Sequence, residues 1–247
     1  MENPSGSFAF RVAIFLVFLI IAIAGFTTIA VMKFCGDPQT DNANAANHQP
    51  ILQTDNINRT ISEAYSGDLA IFEAPEREQN LQIFRVMDIL KIKEGSNVAD
   101  IGAGSGWFTV RAARRVGANG TVYANEINQD YLNHIAERAK NENLPNIKNV
   151  LGKEDNPLLP ENSIDAVLIL KTYHEIAQPI RLMKNLRKSL RPNARVGIID
   201  RNGKGDDHGV SRDSVVIEAE QSGYRLVEEH DFVKPDGMDY FLVFEQR

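Results

Sequence analysis

The sequence has little cysteine and no excess of positive charge, and both features limit what the chain can be. Cys35 is the one cysteine among 247 residues, so no intrachain disulfide can form. The formal net charge is −6, whereas strong nucleic-acid binders usually carry a basic face or stripe. We therefore expect no nucleic-acid partner. A content of 43% apolar and 24% charged residues is typical of a globular protein.

One run of residues near the start of the given sequence lacks charge altogether. Residues 12–32 read VAIFLVFLIIAIAGFTTIAVM and lie between Arg11 and Lys33. A helix of this length spans about 31 Å, which matches the hydrocarbon core of a bilayer. This pattern predicts an N-terminal transmembrane helix, within a membrane anchor or signal segment over residues 1–35. Residues 36–56 are rich in Asn, Asp, Ala, Gln and Pro, which predicts a flexible linker before a domain at 57–247.

A cleaved signal peptide is the alternative for the first segment, and the domain would then be exported. The length of the apolar run favours a retained single-pass anchor. Charge gives little guidance on orientation, because Arg11 and Lys33 flank the run on opposite sides. We expect the domain to face the cytoplasm, where its small-molecule ligands are made. The sequence does not determine the oligomeric state.

Helical and strand patterns alternate after the linker. A helix is predicted from Pro75, with Leu81, Phe84, Met87 and Leu90 on its apolar face. Four more helices are predicted: one from about Gly106, one over 129–142, one from Pro179 and one that Ser211 caps. Strands are predicted at 97–101, 121–126, 147–151, 164–170, 195–200, 224–232 and 239–245. This order predicts an α/β, doubly wound, Rossmann-like sheet of seven strands, with five parallel strands and a terminal antiparallel hairpin. Ligands of such sheets bind beyond the carboxyl ends of the strands.

The stretch VADIGAGSGW, from Val98 to Trp107, lacks the third glycine of the dinucleotide fingerprint, because Trp107 stands in its place. Gly102, Gly104 and Gly106 still predict a tight loop that a ligand can approach closely, followed by a helix N-terminus that attracts an anion. A pyrophosphate would be repelled by Asp100 at the strand tip. A nicotinamide-dependent reductase is therefore disfavoured.

Asp100 and the helix N-terminus together suit a ligand that carries both an ammonium and a carboxylate, as an amino acid does. Glu126 ends the second strand, where a carboxylate can accept hydrogen bonds from ribose hydroxyls. A ligand with an amino-acid end and a ribose but no phosphate is S-adenosylmethionine. The predicted cofactor ligands are Asp100, Gly102, Gly104, Gly106 and Glu126.

With these motifs, residues 73–247 resemble the class I S-adenosylmethionine-dependent methyltransferases, and among them the proteins related to the ubiquinone and menaquinone C-methyltransferases. The segment LRPNARVGIID carries part of the resemblance, although Asn193 and Ala194 replace the two glycines usual in the family. The resemblance implies that Asp155 contacts the adenine amino group, with Glu154 as the alternative. It also implies a methyltransferase whose substrate the motifs do not identify.

The loop after the fourth strand, 171–175, faces the methyl group in this fold. Histidine is a common proton acceptor in enzymes, so His174 is a candidate general base, and Tyr173 is a candidate wall of the acceptor pocket. A structural hydrogen-bonding role for His174 is the alternative. Asp200 is a candidate acceptor contact, and the polar loop 201–213 is a candidate cover of the acceptor.

Other charged and aromatic residues near the predicted site have simpler explanations. Lys171 and Glu175 are expected to be solvated, and Arg77 and Trp107 to serve packing at the cofactor mouth. No metal site is predicted. The sequence lacks the (Asp/Asn)-Pro-Pro-(Tyr/Phe) motif of nucleic-acid amino-methylating enzymes. The leading hypothesis is methyl transfer to a small, lipophilic acceptor at a membrane, and the alternative is a membrane-tethered protein that binds S-adenosylmethionine without catalysis.

Overall fold

The computed structural model describes Asp55 and residues 57–247. The predicted anchor at 12–32, and the linker apart from Asp55, lie outside the described residues. Within the described part of the chain, no helix is long and apolar enough to cross a membrane. The membrane anchor therefore stays a prediction from the sequence.

One seven-stranded sheet forms the centre of the fold. Its strands are β1 (Asn97–Ile101), β2 (Thr121–Glu126), β3 (Ile147–Leu151), β4 (Ile164–Leu170), β5 (Leu190–Arg201), β6 (Tyr224–His230) and β7 (Asp239–Gln246). The order across the sheet is β3-β2-β1-β4-β5-β7-β6, in which only β7 runs antiparallel to its neighbours. The predicted five parallel strands and terminal hairpin are confirmed.

Helices cover both faces of the sheet. They are α1 (Arg77–Leu81), α2 (Ile83–Ile89), α3 (Trp107–Val116), α4 (Gln129–Asn141), α5 (Pro179–Arg187) and α6 (Arg212–Gln221), with short 3-10 helices at Leu69–Glu73 and Tyr173–Glu175. One apolar core joins the sheet to α5 and α6, and a second joins its other face to α1, α2 and α3. Buried strands with a helix layer on each side make the fold doubly wound.

The single helix predicted from Pro75 is wrong in detail, because two short helices meet at Gln82. Gln82 has a φ of 45°, which the interior of a right-handed helix does not allow. This break shifts the helical register, so Ile83 points into the core and Phe84 is 51% exposed. The predicted place of Phe84 on the buried face is therefore wrong.

The fifth strand begins at Leu190 and not, as predicted, at Arg195. Leu190 pairs with Ile164 and Arg195 pairs with Ala166, so the intervening residues form a bulge. Asn193 within this bulge has a φ of 64°, a left-handed conformation that Asn adopts more readily than most residues. Residues 190–194, which the predicted strand left out, therefore belong to the strand.

The strand order reverses between β1 and β4, which are direct neighbours. The connections after β1 and after β4 leave the sheet on opposite faces, and they open a crevice at the carboxyl ends of the strands. The predicted cofactor loop follows β1 and the predicted acceptor loop follows β4. Both sets of candidate residues therefore lie at one edge of the sheet.

Candidate functional site

The loop from Gly102 to Gly106 turns the chain from β1 into α3 with little room for side chains. The N–H groups of Gly102 and Ala103 both donate to the carbonyl of Asn125, at 2.9 and 3.1 Å, and hold the loop against the end of β2. Gly102 has a φ of 69°, and a Cβ atom there would collide with the side chain of Thr172. Only glycine fits this position.

Gly104 is constrained by its conformation, while the space beside it is open. Its φ is 54°, and the nearest atoms that an added Cβ would meet are in the Phe72 ring, 3.7 Å away. The backbone of the loop is therefore accessible to a ligand from the side of the cavity. Gly106 caps α3 with a φ of 76°.

Asp100 lies at the end of β1 and is almost completely buried. One carboxylate oxygen accepts a hydrogen bond from Thr109 Oγ1 at 2.6 Å. Burial raises the pKa of Asp100 to about 7, and the nearby charge of Glu126 acts in the same direction. Because a cation stabilises an ionised carboxylate, this position favours a ligand that brings a positive charge.

Glu126 ends β2 and connects that strand to the glycine loop. Its Oε2 atom accepts from the Gly104 N–H at 3.0 Å, and its Oε1 atom accepts from the Ile127 N–H at 2.8 Å. A carboxylate has about four lone-pair sites, so two backbone bonds leave acceptor capacity for hydroxyl groups. The carboxylate is thus fixed in place beside the loop.

Arg77 and Trp107 stack at the same edge of the cavity. The Arg77 guanidinium lies 4.7 Å from the centre of the Trp107 ring and 5.4 Å from the centre of the Phe72 ring. Burial lowers the pKa of Arg77 to about 10, while the neighbouring Asp100 and Glu73 oppose that effect. Both residues line the cavity, as expected from the sequence.

A cavity of about 960 Å³ brings the two predicted regions together. Asp100, the glycine loop and Glu126 line it, and so does the loop after β4 with His174. Ligand sites in proteins usually have volumes of about 300–1,000 Å³. The cavity is at the upper end of that range, as expected for a site that holds a cofactor together with a second molecule.

His174 and Asp200 form a buried pair on the acceptor side. Asp200 is fully buried at the end of β5, and its two oxygens lie 2.8 and 3.0 Å from His174 Nδ1. Asp200 also accepts from the backbone N–H groups of His174 at 3.1 Å and Arg201 at 2.8 Å. These bonds assign the hydrogen of the ring to Nδ1, so the lone pair of a neutral His174 lies on Nε2.

Glu175 lines the cavity beside His174 and is not the solvated residue expected from the sequence. Its Oε1 atom lies 3.7 Å from His174 Nε2, and its side chain is 19% exposed. Burial raises the pKa of Glu175 above its ordinary value, and the nearby charge of His174 opposes that effect. The expectation for Lys171 differs as well, since Lys171 forms an ion pair with the buried Asp239.

The structure does not bring Tyr173 into the wall of the cavity. Tyr173 is fully buried and packs in the core with Val215 and Tyr224. The 3-10 turn of 173–175 directs neighbouring side chains away from each other, so His174 lines the cavity while Tyr173 does not. The cavity is lined instead by neighbouring side chains, which include Thr172, Ile176 and Leu182.

Of the two candidates for the adenine contact, Glu154 lines the cavity and Asp155 is not among its lining residues. Asp155 is half-buried, and its backbone carbonyl accepts from the Asn185 side chain at 2.8 Å. The side chain that the resemblance favours, Asp155, is therefore not part of the cavity wall.

The segment 57–73 contributes to the site, although it contains no motif that predicts this role. The Ser62 N–H donates to the His174 carbonyl at 3.0 Å, and the Tyr65 N–H donates to Glu175 at 3.2 Å. Three larger side chains of this segment line the cavity: Tyr65, Ile71 and Phe72. These contacts hold the loop after β4 in position.

The donor set fits S-adenosylmethionine on this structure's own geometry. Asp100 is a buried carboxylate that has no cationic partner within hydrogen-bond distance among the described residues, and it suits the ammonium. The open side of Gly104 admits the ligand to the loop, and the fixed Glu126 suits hydroxyl groups. All three features line the same cavity.

Residues 98–193 match a family model described as a methyltransferase domain. Demethylmenaquinone methyltransferase of Listeria welshimeri is 23% identical over 114 residues, which are 46% of this chain and 48% of that protein. The 2-phytyl-1,4-naphtoquinone methyltransferase of Trichormus variabilis is 30% identical over 109 residues, 44% of this chain and 48% of that protein. The chain thus spans about half the length of the curated relatives it matches.

Among solved structures, a SAM-dependent methyltransferase from Aquifex aeolicus superimposes with a TM-score of 0.66 at 23% identity, covering 72% of this chain and 98% of that chain. This likeness confirms the fold that the strand pattern predicts. Together with the family match over residues 98–193, this likeness confirms the resemblance found in the sequence. The sequence and structural comparisons thus support the resemblance to class I methyltransferases, and they imply S-adenosylmethionine as the cofactor.

Proposed function

We propose that the protein transfers a methyl group from S-adenosylmethionine to a small, lipophilic acceptor that carries an ionisable hydroxyl group. One observation carries the proposal: a single cavity joins the Asp100 and Glu126 wall to the His174–Asp200 pair. A cofactor site and a group able to accept a proton therefore face the same space.

Residues of this chain would hold the cofactor on the side of β1 and β2. Asp100 suits the ammonium of the cofactor, and the glycine loop with the N-terminus of α3 suits its carboxylate. Glu126 suits the hydroxyl groups of its ribose. When bound, S-adenosylmethionine supplies a methyl group on a positively charged sulfur. Holding two reactants in alignment contributes up to about 7–11 kcal/mol to such a displacement, so positioning is the main task of the protein.

The His174–Asp200 pair would act on the acceptor. Because Asp200 holds the hydrogen on Nδ1, the Nε2 lone pair is free to accept a proton from an acceptor hydroxyl. The buried carboxylate also stabilises the imidazolium that this transfer produces. The same pair fixes the orientation of the ring, which a lone histidine on a loop would lack.

The acceptor class is inferred from the cavity wall and the relatives. Apolar side chains, Ile71, Phe72, Leu170, Ile176 and Leu182, form much of the lining. Two relatives are named as methyltransferases of demethylmenaquinone and of a phytyl-naphthoquinone. An aromatic ring with hydroxyl groups and an apolar tail suits this lining, and such a molecule resides in a membrane.

We further propose that residues 12–32 tether the domain to the membrane on its cytoplasmic face, close to a lipophilic acceptor. Protease added to intact spheroplasts should then leave the domain uncut, while lysis exposes it. A domain that is digested in intact spheroplasts, or recovered free in the periplasm without its first residues, contradicts the tether and its orientation.

Methyl transfer can be tested with full-length protein and labelled S-adenosylmethionine over a panel of reduced naphthoquinones and benzoquinones. We expect label in one lipid product and an equal amount of S-adenosylhomocysteine. Metabolite comparison of a deletion strain should show one unmethylated precursor. Binding of S-adenosylmethionine without product on any acceptor, and with no precursor accumulating, favours the non-catalytic alternative.

A further inference from the structure

Three side chains on the acceptor side of the cavity have the composition of a metal site. His174, Glu175 and His208 each offer one ligand atom, and these atoms all lie within 4.8 Å of one another. Two imidazoles and one carboxylate form a common ligand set of catalytic zinc sites, in which a fourth position stays open. The cluster unites residues from the loops after β4 and after β5.

His174 is prepared for this role by the contacts already described. Metal-binding histidines usually donate their second ring N–H to a carboxylate or carbonyl, which fixes the tautomer and strengthens the ligand. Asp200 provides this carboxylate at 2.8 Å, and it is fully buried. His174 itself is 4% exposed, and Nε2, its remaining nitrogen, has Glu175 Oε1 at 3.7 Å.

Glu175 and His208 both lie beside the His174 ring. The Glu175 side chain is positioned by the Tyr65 N–H, which donates to it at 3.2 Å. The ring of His208 meets that of His174 edge-on, with 6.0 Å between ring centres and an angle of 85° between ring planes. All three residues line the large cavity, so the space between them is open to small molecules.

The spacing suits a small divalent ion after a modest contraction. Zinc–ligand bonds of about 2.0–2.2 Å place tetrahedral ligands about 3.4 Å apart. Glu175 and His174 are already 3.7 Å apart. His208 is exposed on a loop whose ends are joined by a bond from the Val210 N–H to the Arg201 carbonyl, at 2.9 Å. Its ring can therefore move by the remaining distance, at most about 1.4 Å, without disturbing the sheet.

We propose that His174, Glu175 and His208 bind a divalent first-row metal ion, with Zn²⁺ the best match to the ligand set, and that its open fourth position faces the cavity. An ion there would bind a water molecule or an anionic oxygen of a ligand. Within the proposed function, and resting on it, the ion would hold the acceptor's hydroxyl oxygen and lower the pKa of that hydroxyl. His174 Nε2 then serves as a ligand and not as the base.

The test uses full-length protein in detergent, without a polyhistidine tag, stripped of metal by a chelator and titrated with Zn²⁺ or Co²⁺. We expect one saturable site and, for Co²⁺, the visible absorption of a four-coordinate complex. His208→Asn removes one ligand and keeps a residue suited to the φ of 54° at that position. Glu175→Gln removes the negative ligand with little change in shape.

Asp200→Asn removes the carboxylate that hydrogen-bonds to a metal ligand, and it should lower metal affinity by about 10–100-fold. His208→Asn and Glu175→Gln each remove a ligand itself, so both should lower metal affinity by more than this. His134→Ala changes an exposed histidine on α4 and serves as the matched control. His208→Asn leaves the buried core intact, so a loss of binding there cannot be ascribed to unfolding. Equal affinity in the wild type and His208→Asn, or no saturable binding to the wild type, overturns the site.

Binding of S-adenosylhomocysteine, measured on the same preparations, separates this proposal from the proposed function. If the metal does not bind but the cofactor product does and methyl transfer persists, the metal site alone is refuted and Nε2 remains available as a base. If zinc binds at the three residues but S-adenosylhomocysteine does not, the proposed methyl transfer is refuted and the metal site stands.

Discussion

The two sides of the cavity are assembled in different ways. The cofactor side comes from one continuous stretch, Asp100 to Glu126, in which a strand, a loop, a helix and a second strand follow one another. The acceptor side combines 172–176, Asp200, the loop with His208 and the segment 57–73, which are distant in the chain. The cofactor side can be recognised as a sequence motif, whereas the acceptor side forms only when β4 and β5 lie side by side in the folded chain.

This difference corresponds to a difference in chemistry. A cofactor shared by many enzymes needs the same groups each time, so a local arrangement can supply them. An acceptor differs from enzyme to enzyme, and loops that follow separate strands can change independently. Variants on the two sides should therefore separate cofactor binding from turnover.

The largest effect is expected from Gly104→Val on the cofactor side. Valine is β-branched and poorly suited to a φ of 54°, and its side chain would occupy the open space beside the loop. Calorimetry should detect no binding of S-adenosylhomocysteine. Gly95→Val is the matched control, because Gly95 also has a positive φ, of 79°, and open space, but it lies outside the cavity. Equal loss in both variants would assign the effect to backbone strain.

On the acceptor side, His174→Ala should lower kcat by about 10²–10⁴-fold, the usual contribution of an acid–base group. Cofactor affinity should stay unchanged, since His174 lies across the cavity from Asp100. Single-turnover kinetics and calorimetry on one preparation measure the two quantities. A lower melting temperature with equal losses of binding and turnover would support the structural role instead.

Glu126→Gln should weaken cofactor binding by about 1.5–3 kcal/mol, the range for a hydrogen bond to a charged group, or about 10–100-fold. Glutamine retains one carbonyl oxygen for the Gly104 N–H, which limits disturbance of the loop. Calorimetry measures the change, and Glu137→Gln on the exposed face of α4 provides the control. Wild-type affinity in Glu126→Gln would place the ribose elsewhere.

Cofactor affinity should depend on pH through Asp100. Burial raises its pKa to about 7, so the carboxyl of the free protein is mostly protonated below that value. A neutral carboxyl attracts an ammonium weakly, and affinity should rise about 16-fold between pH 5.5 and pH 7, as the ionised fraction does. Asp100→Asn should bind more weakly and show little of this dependence. A flat profile in the wild type would contradict an ion pair with Asp100.

The smallest effect distinguishes the two adenine candidates. Because Glu154 lines the cavity and Asp155 does not, Glu154→Gln should weaken binding by about 0.5–1.5 kcal/mol, or about 2–10-fold. Asp155→Asn should bind S-adenosylhomocysteine as the wild type does. The reverse result would restore the assignment that the family resemblance implies.

The sheet could be predicted because its strands are short apolar runs separated by glycine, proline and helical patterns. The interruption at Gln82 could not, since it depends on a left-handed residue for which glutamine gives no signal. The bulge at Asn193 is a similar case, because the pairing of β5 with β4 decides where the strand begins.

The candidate cofactor residues could be predicted from their spacing, whereas the partners of His174 could not. Asp200 was expected to contact the acceptor itself, and its hydrogen bonds to His174 appear only in the folded chain. Tyr173 and His174 are neighbours in sequence, yet a 3-10 turn sends one into the core and the other to the cavity. His208 carries no motif at all.

The central claim is that the wall formed by Asp100, the glycine loop and Glu126 is a site for S-adenosylmethionine. Calorimetric titration of the full-length protein with S-adenosylhomocysteine and, separately, with NADH tests it most directly. The structure predicts micromolar binding of S-adenosylhomocysteine, about 8 kcal/mol at a Kd near 1 μM, and much weaker binding of NADH. Tighter binding of NADH than of S-adenosylhomocysteine would contradict the account.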